Sequence, residues 1–386
     1  MNNFDLIQKT HILFGSGEEN NVGKLVKEYS DSCLVVHGGG SYLEELLRRI
    51  RKSLSDEGIT YTELSGVKSN PLVSKANQGV EICKNRGIGF VLAVGGGSVM
   101  DTVKYIAYAI NCEDNALLLK PDNKVTHYVL PHGAIVTLSG TSSECSNCAM
   151  IMDDLNEPLV KYALSNKALY FDFSIINPEL TYSLPPRQIA AGAMDSISHA
   201  LEVYLAPTKE EPLMEGYMET VIKAVLKYGP LAMEQPHNYE VRSVLSICVM
   251  MAYNDNISNG GVPQDWGIHG IENPVTTMFN GIHGVNLGII TPAFLRYTYK
   301  KNPRSFVNFA VRCMSVNPNG KTDNQIVDEG ASRLDDWLRR MKLPTHFSEI
   351  GLTIDNLEIC AELAEPAGAV YQLTKDEIMQ IYKMCM

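Results

Sequence analysis

Asp195, His199, His269 and His283 have the residue types and the spacing to hold one divalent metal. Asp195 and His199 stand at i and i+4 in Gly192-Ala193-Met194-Asp195-Ser196-Ile197-Ser198-His199, which reads as helix, so both side chains leave one face. Taken alone, that pair reads better as a helix-surface ion pair. His269, in Gly267-Ile268-His269-Gly270, and His283, in Gly281-Ile282-His283-Gly284, change the balance. Their flanking glycines predict imidazoles carried on tight turns, which surface packing would not require. Three imidazoles and one carboxylate suit Zn²⁺ or Fe²⁺ and do not suit Mg²⁺ or Ca²⁺, which prefer oxygen shells.

A second group of candidates lies in glycine-rich turns that follow short β-branched runs. The run at 34–36 enters His37-Gly38-Gly39-Gly40-Ser41, after which Leu43, Leu46, Leu47 and Ile50 recur at helical spacing. The run at 90–94 enters Gly95-Gly96-Gly97-Ser98 and a predicted helix over 99–110; a third strand at 134–136 leads into Thr137-Leu138-Ser139-Gly140-Thr141. Such turns expose backbone N–H groups at the positive end of a helix and can cradle a pyrophosphate. Neither has the G-x-G-x-x-G spacing, and a single one reads equally as a tight turn.

Strands alternating with helices predict an α/β domain with a parallel sheet over residues 1–183. From Leu184-Pro185-Pro186 onward, amphipathic segments predict an all-helical domain over 184–386 that carries the metal candidates. Its first helix places Ile189, Ile197, Leu201 and Tyr204 along an apolar stripe, with Pro207 as its end. A dinucleotide-binding domain beside a metal-binding one suggests hydride transfer.

Forty-five per cent hydrophobic and 20% charged residues are those of a globular protein with a sizeable core. A net charge of -11 argues against a nucleic-acid partner. No apolar run reaches the roughly 20 residues of a membrane span, and Met1-Asn2-Asn3-Phe4-Asp5 lacks the pattern of a signal peptide, so the expectation is a cytoplasmic protein. Nine scattered cysteines read as reduced thiols, and Cys145-Ser146-Asn147-Cys148 has no second pair to make a zinc motif.

The sequence resembles the iron-containing alcohol dehydrogenases, in the branch that includes the butanol dehydrogenases. The resemblance runs over nearly the full length. It is carried by Ile12-Leu13-Phe14-Gly15, Gly95-Gly96-Gly97-Ser98-Val99-Met100-Asp101, Asp195-Ser196-Ile197-Ser198-His199, Asp265-Trp266-Gly267-Ile268-His269 and Leu373-Thr374-Lys375-Asp376-Glu377-Ile378. It implies a dehydroquinate-synthase-like fold, with Asp195, His199, His269 and His283 as ligands of Fe²⁺ or Zn²⁺. Gly95, Gly96, Gly97 and Ser98 would then form the pyrophosphate loop. Asp101, Thr137, Thr141 and Lys161 would line the nicotinamide and ribose side, with Asn70 and Pro71 near the adenosine. A homodimer acting on short primary alcohols or aldehydes is also implied.

Gly38, Gly39, Gly40 and Ser41 match the position at which this family chooses its cofactor. Glycine there leaves room for a 2′-phosphate, so NADP(H) is expected over NAD(H), although Glu44 and Glu45 stand where a basic attraction would be useful. Asn273 replaces a histidine that many relatives use as a proton relay, leaving water or Glu272 for that task. Asn177 replaces a common aspartate with an expected structural role, and Ser142 replaces a common glycine with an expected narrowing of the cofactor pocket. The competing readings are a polyol dehydrogenase, a dehydroquinate-synthase-like lyase and a non-catalytic metal and nucleotide binder. The lyase would need basic residues around its anionic substrate, which the segments near His269 and His283 do not offer.

Overall fold

The structure is a computed structural model that describes residues 9–253 and 261–386. The N-terminal residues read above for a signal peptide lie outside the described residues. The chain divides into two compact units, one ending at Leu184 and the other beginning at Pro185.

The first unit is built on β1 (His11–Phe14), β2 (Ser32–His37), β3 (Thr60–Leu64), β4 (Phe90–Gly95), β5 (His132–Val136) and β8 (Phe173–Ile176). They pair in the order β1-β8-β5-β4-β2-β3, all parallel. β2 and β4 are buried on both faces, which explains their near-continuous apolar runs. Alternate residues Cys33, Val35, Phe90, Leu92 and Val94 form one core with Val22 and Val26 of α1 (Val22–Lys27) and Leu46, Leu47, Ile50 and Leu54 of α2 (Glu44–Asp56). α3 (Val73–Arg86) packs on α4 (Gly97–Ala109), which in turn packs on β4. The expected parallel α/β architecture is thus present.

The strand order has a direct consequence for ligands. After β2 the chain moves outward to β3, then returns across the sheet to β4, so the winding reverses between β2 and β4. Doubly wound sheets bind ligands at the carboxyl ends of the strands flanking such a reversal. The two glycine turns leave those strands side by side, since His37 pairs with Val94.

One element was not anticipated. β6 (Cys148–Asp153) and β7 (Val160–Ser165) form an antiparallel two-stranded sheet in a stretch expected to continue the parallel pattern.

The second unit is helical. Its elements are α5 (Pro186–Tyr204), α6 (Pro212–Glu234), α7 (Tyr239–Ala252), α8 (Gly267–Phe279), α9 (His283–Thr298), α10 (Pro303–Asn308), α11 (Asp323–Arg340), α12 (Ile354–Ala364) and α13 (Lys375–Met384). α5 starts with Pro186 at its first position, where no N–H is needed. It ends at Tyr204, before Pro207. Every residue from Ile189 to Tyr204 is buried, so α5 is a central helix rather than an amphipathic one. Ser196 and Ser198 are accommodated because their hydroxyls donate to the carbonyls of Gly192 and Met194, 2.8 and 3.1 Å away. Among the described residues, no helix is long and apolar enough to cross a membrane.

Candidate metal centre and nucleotide edge

Three helices bring the four metal candidates together: α5 carries Asp195 and His199, α8 carries His269 and α9 begins with His283. The Asp195 Oδ1 atom lies 3.6 Å from His199 Nδ1, 3.6 Å from His269 Nε2 and 3.8 Å from His283 Nε2. Those are too long for hydrogen bonds. Asp195 Oδ1, His199 Nδ1 and His269 Nε2 are buried polar atoms without a hydrogen-bond partner. Donor atoms at about 2.0–2.2 Å from a tetrahedral metal lie about 3.3–3.6 Å from one another. Asp195, His199 and His269, whose donor atoms all lie within 4.8 Å of one another, fit such an ion, and His283 borders them through its 3.8 Å approach to Asp195.

The electrostatics of the metal-free cluster follow from burial and mutual contact. Burial pushes the Asp195 carboxyl up, but the imidazoles of His199, His283 and His269 outweigh it and bring it down to about 2. Burial, with the neighbouring imidazoles, depresses His199 to about 3 against the pull of Asp195. Burial also opposes charge on His269, yet Asp195 and Glu202 raise it to about 9.

Two carboxylates behind the imidazoles were missing from the sequence-derived set. Glu202 of α5 accepts from both the Nδ1 and the backbone N–H of His269, at 2.8 and 2.9 Å. Glu272 of α8 accepts from His283 Nδ1 and Thr276 Oγ1, and from Asn286 Nδ2 at 3.1 Å. Their spacing carried a signal: Asp195, His199 and Glu202 follow i, i+4, i+7, and His269, Glu272 and Thr276 follow i, i+3, i+7. Glu272 is completely buried and committed to these partners, which removes it as a solvent-facing proton relay. Asn273 sits beside it on α8.

Gly281 lies in the three-residue connection between α8 and α9, as a tight turn requires, whereas Gly284 serves helix packing. His283 is the first residue of α9, and a Cβ on Gly284 would lie 2.1 Å from the Ala191 carbonyl oxygen of α5. His269 is the third residue of α8, where a Cβ on Gly270 would stand 3.4 Å from Ala367 Cβ. A left-handed residue precedes each of these histidines, Asn280 at φ +50° and Trp266 at φ +61°. The Trp266 ring packs edge-on to His199 and His269, with centroids 6.0 and 5.3 Å away, and Tyr253 stacks on His199 at 5.2 Å. Asp265 anchors this corner, its Oδ1 accepting from the N–H groups of Val370 and Tyr371 at 2.8 and 2.9 Å.

In the first unit, Gly96 is the extended N-cap of α4 and gives the helix no side-chain cap. A Cβ on Gly96 would meet Leu138 Cβ at 2.9 Å, and one on Gly97 would meet Thr141 Oγ1 at 2.5 Å. Gly95 O accepts from Thr137 N at 3.0 Å. Gly95, Gly96, Gly97, Ser98, Thr137 and Thr141 therefore lie together, with a bare helix N-terminus between them. The residues fit a pyrophosphate, for which backbone N–H groups and the helix dipole supply the attraction. On the neighbouring strand, Gly39 and Gly40 take φ of +85° and +101°, which only glycine adopts readily, and Ser41 opens a short 3₁₀ turn. Asn70 is also left-handed, at φ +55°, and Pro71 O accepts from Met152 N at 2.8 Å, tying that segment to β6.

Asp101 and Lys161 are placed differently from this group. The Asp101 carboxylate is buried and accepts from Ser143 Oγ at 2.7 Å and Met150 N at 3.1 Å, so it anchors the start of β6. Lys161 stands on β7 opposite Met152. Sequence reasoning missed Lys104, which is fully buried and donates to the carbonyls of Ser143, Ser146 and Cys148 at 2.7, 2.9 and 2.7 Å. Ser142 is fully buried at φ +56°, so exchanging glycine for serine acts on the backbone rather than narrowing a pocket. Asn177 is structural: its Nδ2 donates to Glu19 at 2.9 Å, which an aspartate could not do, and its Oδ1 accepts from Glu179 N. All nine cysteines are free thiols.

A parallel nucleotide-type sheet followed by a helical unit with a three-imidazole, one-carboxylate cluster defines a metal-dependent dehydrogenase class, and the comparisons agree. The family described as iron-containing alcohol dehydrogenase matches residues 9–178, and its C-terminal part matches residues 189–386. The chain belongs to the iron-containing alcohol dehydrogenase family. It is 31% identical to a probable NADH-dependent butanol dehydrogenase of Bacillus subtilis and 28% identical to an NADPH-dependent aldehyde reductase of Escherichia coli, each over 99% of both chains. Among solved structures, NADH-dependent butanol dehydrogenase A of Thermotoga maritima superposes with a TM-score of 0.90 at 29% identity, covering 100% of this chain and 99% of that one.

Proposed function

We propose that this chain is a cytoplasmic, homodimeric alcohol dehydrogenase, or in the reducing direction an aldehyde reductase, acting on short primary alcohols and aldehydes such as butanol and butyraldehyde. The observation that carries the reading is the convergence of His199, His269 and His283 on one buried Asp195 oxygen, with Asp195 Oδ1, His199 Nδ1 and His269 Nε2 buried and without a hydrogen-bond partner. Asp195, His199, His269 and His283 would hold one Fe²⁺ or Zn²⁺. Such an ion polarises a hydroxyl or carbonyl oxygen, and a nicotinamide exchanges hydride with the carbon bearing it. Glu202 and Glu272 fix the orientation of His269 and His283. Trp266 and Tyr253 supply apolar surface next to the cluster, suited to a short alkyl chain. Protons move through water, because the relay position is Asn273.

Gly95, Gly96, Gly97 and Ser98 would bind the pyrophosphate, with Thr137 and Thr141 beside them. In the turn from Gly38 to Ser41, space for a 2′-phosphate lies beside Gly39, which supports NADP(H), whereas Cβ atoms on Gly38 and Gly40 would meet the Val67 carbonyl and the Tyr42 ring at 3.3 and 2.6 Å. Charge does not add to that preference: Arg48 pairs with Glu45, Arg49 with Glu19, and Arg51 with Glu63 and Glu44. We therefore propose that both cofactors are used, with NADP(H) favoured by space alone.

The test is oxidation of NADPH and NADH with butyraldehyde by metal-stripped protein, before and after adding Fe²⁺ or Zn²⁺ without oxygen. Metal-restored turnover is expected, and His269→Ala should abolish it along with the bound metal. Turnover independent of metal, or a His269→Ala enzyme that keeps full metal and rate, would refute the assignment. Light scattering that gave a monomer would refute the dimer.

A further inference from the structure

His283 is the most exposed of the four candidates, its side chain 26% accessible against 9% for His199 and His269. It is also the first residue of α9, whose N-cap, Ile282, provides no side-chain cap. A helix N-terminus carries about +0.5 of an elementary charge, so a dication beside it is disfavoured unless a negative charge answers. Glu272, on the other helix, touches the far side of the His283 ring.

We propose that Glu272 is the positioning residue and counter-charge that makes His283 a competent ligand, by locking the α8 and α9 helices into one arrangement. The inference rests on the metal reading above. The carboxylate is itself fixed. Thr276 Oγ1 donates to it from the same helix, Asn286 Nδ2 donates to it from α9 at 3.1 Å, and Asn286 also bonds Thr276 Oγ1 at 3.0 Å. Asn286 packs so closely under the loop before α9 that a Cβ on Gly281 would come within 2.7 Å of its Nδ2. The ring of His283 thus has a prescribed orientation: Nδ1 donates to Glu272 and Nε2 is turned toward Asp195. An acidic partner on the second nitrogen also makes an imidazole a stronger donor. Glu202 does the same for His269 from α5, so two carboxylates join the three ligand-bearing helices in series. Glu272 differs in that it must also offset a helix end.

The experiment measures Co²⁺ affinity of the metal-stripped full-length chain by competition with a chelator, together with the visible spectrum of bound Co²⁺ and the melting temperature of the metal-free protein. Glu272→Gln keeps the shape and an acceptor oxygen but removes the charge. It is expected to weaken Co²⁺ by about 10–100-fold and alter its spectrum in a metal-free protein that still unfolds cooperatively above the assay temperature. Thr276→Val, nearly isosteric and leaving the charge in place, should cost a smaller factor. If Glu272→Gln does not accumulate folded, Thr276→Val carries the test, and unaltered affinity and spectrum in it would overturn the proposal. Wild-type affinity and spectrum in a folded Glu272→Gln protein would overturn this proposal alone. Failure of the wild type to bind Co²⁺ would overturn the metal reading and this inference with it.

Discussion

Replacing Gly284 by alanine should separate the metal centre from the fold that carries it. The added Cβ would lie 2.1 Å from the Ala191 carbonyl oxygen, 2.7 Å from its carbon and 3.0 Å from its Cα. These are backbone atoms of the buried helix α5, which cannot rotate away. Ordinary contact begins near about 3.4 Å, so the start of α9 must recede by about 1.3 Å. His283, the adjacent residue, moves with it, whereas metal–ligand distances tolerate only about 0.2 Å. The expected result is a loss of metal affinity beyond about 100-fold, larger than loss of an outer-shell partner gives. Overpacking adds a stability cost of about 1–3 kcal/mol. For a unit of this size that is a fall in melting temperature of about 2–12 °C. The assay is chelator competition with Co²⁺ or Zn²⁺ alongside thermal unfolding of the metal-free protein. A Gly284→Ala protein with unchanged metal affinity would show that α5 and α9 do not approach as described.

Other substitutions probe the same physics elsewhere. Gly216 lies exposed within α6, and a Cβ there would meet nothing within 4 Å, so Gly216→Ala should raise stability by about 0.5–1 kcal/mol, seen as a higher denaturant midpoint. Because Asp195 and Glu202 raise His269 to about 9, the metal-free protein carries a proton there at neutral pH that a metal must displace. Metal affinity should therefore fall about tenfold for each unit of pH decrease below that value, with proton release on binding at about pH 7.5 read by an indicator dye; no release would contradict it. Gly38→Asp should weaken NADPH far more than NADH in cofactor titrations, although its Cβ would also press on the Val67 carbonyl at 3.3 Å. An unchanged preference would mean that this turn does not face the 2′-phosphate.

The four metal candidates were legible because helical spacing links Asp195 to His199 and because histidine is rarely placed by packing alone. The strands at β2, β4 and β5 were legible as apolar runs, since a parallel strand is covered on both faces. Other features depend on contacts that no local pattern encodes. Gly284 looks like a turn residue, but its reason lies in Ala191 on a different helix. Ser196 and Ser198 read as polar positions, yet their own helix satisfies them, so α5 can be buried all round. The β6–β7 sheet escaped notice because β7 is exposed or half-buried everywhere except at Leu164 and lacks a clear apolar face. Glu202 and Glu272 sat at ligand-face spacing, but a glutamate on a helix is ordinary until its imidazole partner is seen.

Lys104 gives the nucleotide-type unit a cation of its own. Its ammonium group occupies a ring of carbonyls from Ser143, Ser146 and Cys148, the role a bound ion plays in many loops. That charge is covalently attached, so chelation cannot remove it and scarcity cannot dilute it. The ion proposed for the helical unit would instead be drawn from its surroundings. The two units consequently answer to different supplies: removing metal should alter the helical unit while leaving the loop gathered around Lys104 intact.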